Sequence, residues 1–116
     1  KTEVEIDGEV FTVRDKEEAA TLLAKAREAA EETARIAIER AAKAQKRPTR
    51  KVLADARKAL QVPEIDADEV LAEEVEKFRA DVQKLYQDAL QAVEIAALLR
   101  KAQDEEDDED VLLLLA

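Results

Sequence analysis

The sequence predicts a mainly α chain: an N-terminal β-hairpin, a long helix, a short helix and a second long helix, arranged as an elongated, coiled-coil-like helical bundle. Three observations carry that reading. Thr2 to Arg14 alternates apolar and polar residues around Asp7-Gly8. Two stretches open on an aspartate with a glutamate three residues on, Asp15 with Glu18 and Asp66 with Glu69. Leu71, Val75, Phe78, Val82, Leu85, Ala89, Ala92, Ala96 and Leu99 recur at spacings of four and three, the seam of a heptad helix.

The hairpin rests on Asp-Gly between alternating residues, because both central positions of a tight two-residue turn need positive φ. With that turn Val4 faces Phe11 and Thr2 faces Val13. Val4, Ile6, Phe11 and Val13 then form an apolar face, and Glu3, Glu5, Val10 and Thr12 the other. Two strands alone are marginal in water, so this face is expected to cover the chain's own helices, or an edge to pair with another chain.

Asp15 and Glu18 form a capping-box pattern that starts the first helix, expected to run to about Lys46. Its apolar stripe, Leu22, Leu23, Ala26, Ala30, Ile36, Ala37, Ala41 and Ala44, is interrupted by Thr33 and poor in large side chains. Such a face suits close helix approach rather than a deep ligand pocket. Pro48 breaks the helix, since it lacks an N–H and pushes Arg47 out of helical geometry. A short helix is expected over about Thr49 to Leu60, burying Val52, Leu53, Ala56, Ala59 and Leu60, with Val62-Pro63 ending it.

A linker, Gln61 to Ile65, leads to the second capping box at Asp66, from which the last helix is expected to reach about Gln103. From Ala89 to Leu99 that helix is apolar nearly all round, which calls for a second covering surface there. Residues 1–103 read as one helical domain, with the hairpin at 1–14. Residues 104–116 read as an acidic linker, Asp104 to Asp110, and an apolar tail, Val111 to Ala116.

Composition narrows the function. The chain has 116 residues and a net charge of -10, and the seven-acid run supplies most of that excess. Overall acidity speaks against general nucleic-acid binding. Cys, His, Met, Trp, Ser and Asn are absent and Gly8 is the only glycine. No conventional nucleophile–base pair or phosphate-cradling glycine loop can therefore be built, and the chain is expected not to be an enzyme. No metal or cofactor is expected: Asp66 to Glu69 is explained by capping, and the acid run lacks calcium-loop spacing. Without an apolar span or signal sequence the protein is expected to be soluble, intracellular or virion-associated. The lack of an initial methionine is expected to reflect processing, trimming or construction without it.

What remains is association. The expected partner is protein, either another copy of the chain or a neighbouring structural protein, met through Leu71, Val75, Phe78, Val82, Leu85, Leu90, Val93, Ile95, Leu98 and Leu99. The tail leucines Leu112, Leu113, Leu114 and Leu115 are expected to dock, because exposed on a solvated tether they would promote aggregation. Phe78→Asp or Leu85→Asp is expected to disrupt assembly. The basic stretch Arg40 to Lys58 offers a phosphate or acidic-partner contact through Arg47, Arg50 and Lys51. It has no interleaved aromatics, so nucleic-acid binding there would be nonspecific and salt-sensitive.

The hairpin Val4-Glu5-Ile6-Asp7-Gly8-Glu9-Val10-Phe11, the alanine- and arginine-rich helices, Glu94-Ile95-Ala96-Ala97-Leu98-Leu99 and an acid run ending in leucines together resemble the small proteins of phage and prophage structural modules. The resemblance is one of style over the whole chain and transfers no functional residue. It implies a virion or assembly component present in many symmetric copies. The alternative origin is a de novo designed helical scaffold or binder, which the missing residue types, two capping boxes and Asp-Gly turn would suit. The absence of C-cap glycines and the leucine tail depart from design practice. The same absences also suit a heat-adapted source.

Overall fold

The computed structural model describes residues 2–44 and 47–104. It is mainly helical, in the expected order, with one addition: a third strand. The elements are β1 (Thr2–Ile6), β2 (Glu9–Val13), α1 (Lys16–Lys43), α2 (Thr49–Ala59), β3 (Ile65–Ala67), a 3-10 turn at Glu69–Leu71 and α3 (Ala72–Asp104). The described residues fall into two compact units, 2–32 with 62–85, and 33–44 and 47–61 with 86–104.

In the first unit the hairpin has the register that its turn dictates: Val4 opposite Phe11, Thr2 opposite Val13. Asp7 and Gly8 take φ of 49° and 85°, the left-handed geometry that a two-residue turn requires. Val4 and Val13 are buried, Ile6 and Phe11 half-buried, while Val10 lies exposed on the other face. β1 is paired on both edges within the chain, because β3 lies antiparallel to it and makes the sheet order β2-β1-β3.

That strand corrects the expected linker and second capping box. Ile65 and Asp66 lie in β3, opposite Ile6 and Glu5, and Ile65 is buried. Asp68 is the residue that caps, its carboxylate accepting from the Val70 N–H, so the final helical segment begins later than expected. The physical reason is that an aspartate three residues before a glutamate is a local signal. Pairing with β1 gives the backbone of this stretch partners that the local spacing cannot reveal, because they lie about sixty residues away in sequence. Arg79 anchors the strand further, its guanidinium donating to the Ile65 carbonyl at 2.8 Å.

The first box holds in one direction. The Glu18 N–H donates to Asp15 Oδ1 at 2.9 Å, whereas the Glu18 carboxylate accepts from Arg14 Nε at 3.0 Å. That bond raises the Arg14 pKa above its ordinary value. The helix it opens ends at Lys43, short of the expected Lys46.

The buried lines of the two long helices also differ from the expected seams. Along α3 and the turn before it the buried residues are Leu71, Val75, Phe78 and Val82 in the first unit, then Tyr86, Ala89, Val93 and Ala97 in the second. After Val82 the line steps four to Tyr86, where a heptad steps three to Leu85. Leu85, Ala92 and Ala96 are consequently only half-buried, and Leu99 is exposed. The resulting eleven-residue repeat, about 3.67 residues per turn, lies close to the natural helical period of about 3.6. On α1 the same steps join Ala19, Leu23, half-buried Ala26, Ala30, Ala34, Ala37 and Ala41, passing through Ala34 beside Thr33.

In the second unit α2 begins at the residue after Pro48, whose carbonyl accepts from the Lys51 N–H at 3.0 Å. It buries Val52 and Ala56, and Leu60 follows as its buried C-cap. Ala59, expected on the buried side, is exposed, and Leu53 is half-buried. The buried residues here are largely alanines, as a closely approached helical core would have.

Candidate protein-interaction site

The residues expected to meet a partner divide by unit. In the first, Leu71, Val75, Phe78 and Val82 are each at most 7% exposed, so their apolar surface is covered by the chain itself. Leu85 retains partial exposure. In the second, Val93 is buried, Leu90 and Leu98 are half-buried, and Ile95 and Leu99 stand 56% and 48% exposed. Leu112, Leu113, Leu114 and Leu115 lie outside the described residues.

Helical geometry explains the split within Ala89 to Leu99. At about 100° per residue, Ile95 lies roughly 200° round the helix from Val93. Leu99 follows Ile95 by one turn, and Ala92 precedes it on the same side. The stretch is apolar nearly all round, as its composition requires, but among the described residues full burial is confined to the side carrying Ala89, Val93 and Ala97. An open apolar stripe of adjacent large side chains is the form that anchors a helix-to-helix contact.

The basic stretch forms a second feature of the same unit. α1 and α2 line a groove of about 390 Å³ whose walls include Ile36, Ala41, Val52 and Ala56, with Arg40, Arg47 and Asp55 at its polar edge. Arg47 donates to Asp55, an ion pair between two exposed side chains, so one of the three cations expected to meet phosphate or an acidic partner has a counter-charge within the chain. Arg50 and Lys51 are exposed in the first turn of α2. The Arg47–Asp55 pairing has no signature in the spacing, since it depends on how the chain turns at Pro48.

Among the described residues no polar or charged residue is buried, and no group of three or more acidic side chains is placed to hold a metal ion. No described helix is long and apolar enough to cross a membrane. The chain's chemistry is therefore concentrated in an apolar stripe and a basic-edged groove. No protein-family model, curated protein or solved structure matches this chain.

Proposed function

We propose that the chain is a non-enzymatic structural or assembly protein that associates with further copies of itself, or with a neighbouring structural protein, through the open face of α3. In the setting that its style of sequence implies, it is a small phage virion or assembly component. The observation that carries this reading is the exposure of Ile95 and Leu99 on the side of α3 away from its buried line. Burying a large aliphatic side chain contributes about 1.5 to 3 kcal/mol, so these two are the natural anchors of a contact to which Leu98 adds flanking surface, while Leu90 lies on the opposite side of the helix from Leu99.

Sedimentation velocity across a concentration series tests the proposal. The wild-type chain should sediment as an oligomer at micromolar concentration. The double variant Ile95→Glu, Leu99→Glu should sediment as a monomer with the same helical content. A wild-type chain that stays monomeric at hundreds of micromolar overturns self-association. Phe78→Asp is a poor probe, because a charge placed at a buried position disrupts the fold along with any interface.

A further inference from the structure

We propose that the groove between α1 and α2 is the docking site of the chain's own 105–116 segment, whose acids meet the basic edge and whose leucines meet the apolar lining. The inference is independent of association through α3.

Three observations converge. The first is shape and polarity: the groove holds about 390 Å³ and its lining is largely aliphatic, with Ile36, Ala41, Val52 and Ala56 among the residues. That volume is within the range of sites that enclose side chains of a bound segment.

The second is charge. Arg40 and Arg47 line the groove, Lys43 stands with Arg40 in the last turn of α1, and Arg50 and Lys51 are exposed where α2 begins. Asp55 offsets one of these cations. The complementary sequence is Asp104 to Asp110 followed directly by Val111 to Leu115, acid first and aliphatic second. The open stripe of α3 is a weaker match for it, because Asp88 lies two turns before Ile95 on the same side and repels an acidic segment.

The third is tethering. α3 is described to Asp104 within the unit that carries the groove. Twelve residues follow, and at about 3.3 Å each they span up to about 40 Å. A short tether makes docking intramolecular, at an effective concentration on the order of millimolar, which favours the chain's own segment over another copy's.

The chain has no cysteine, so Ala116→Cys supplies a single thiol. A benzophenone placed on it and irradiated in the full-length protein at low micromolar concentration should crosslink to 33–44 and 49–59. The product should run at monomer mass, and mass spectrometry locates the linked peptides. Two variants should each lower the yield at least fivefold with helical content retained. Arg40→Glu with Arg47→Glu reverses the edge, and Ala59→Phe fills the groove from an exposed position. Crosslinked dimers would overturn the proposal in favour of another copy's segment. Crosslinks elsewhere, no mapped crosslink, or groove crosslinks indifferent to both variants would overturn it outright. None of these outcomes depends on Ile95 or Leu99, whose role is read separately from sedimentation.

Discussion

Asp7 holds Glu64 by two hydrogen bonds across fifty-seven residues of sequence: the Asp7 N–H donates to the Glu64 carbonyl at 2.9 Å, and the Glu64 N–H donates to Asp7 Oδ1 at 2.9 Å. One residue thus makes the hairpin turn and fastens the entry to β3. Asp7→Ala loses the side-chain acceptor and places alanine at positive φ, and should cost about 1 to 2 kcal/mol. Asp7→Asn keeps an oxygen acceptor and tolerates that backbone, so it should cost well under half as much. Urea unfolding of both variants measures the difference.

Gly8 is needed for its backbone rather than for space. Its φ is 85°, and a Cβ there would meet nothing within 4 Å. Gly8→Ala should therefore destabilise by about 1 kcal/mol through conformational strain. Gly8→Asn should cost less, because asparagine enters the left-handed region more readily. Equal losses in thermal unfolding would refute a purely conformational origin.

Glu5 and Asp66 are directly opposite in the β1–β3 pairing, two like charges on neighbouring strands. Asp66→Lys should stabilise the chain by about 0.2 to 1 kcal/mol, an effect that fades with added salt. Asp68→Ala should act in the other direction, by about 0.5 to 1 kcal/mol, through loss of the cap on Val70. Were Asp66 the cap that its spacing suggests, Asp66→Lys would destabilise. Chemical denaturation at low and high salt separates the two cases.

Tyr86 and Leu85 distinguish an eleven-residue line from a heptad. Tyr86 is 6% exposed and Leu85 half-buried. Tyr86→Ala should cost about 3 kcal/mol, and Leu85→Ala less than half of that. A heptad interior would reverse the order. Measurement on an Ile95→Glu, Leu99→Glu background keeps association out of the comparison.

The sequence by itself determined what neighbouring residues settle among themselves. Asp7-Gly8 specified the turn and hence the register of β1 and β2, because a two-residue turn leaves one pairing. Asp15 specified the start of α1, because a carboxylate one position before the helix reaches its first free N–H groups. Pro48 specified the start of α2, because a residue with no N–H to give fits the edge of a helix and not its interior, whereas α1 ends before it at Lys43. Tertiary structure decided what depends on distant partners. Ile65-Asp66-Ala67 is too short to show a period, and it became a strand because β1 offered an open edge beside Asp7. Heptad and eleven-residue lines share Leu71, Val75, Phe78 and Val82, so spacing that reads as a heptad through Leu85 is equally the start of the line that buries Tyr86. Packing resolved the choice for Tyr86. The same packing covered Val93 and left Ile95 and Leu99 open, a distinction invisible in a stretch that is apolar on nearly every side.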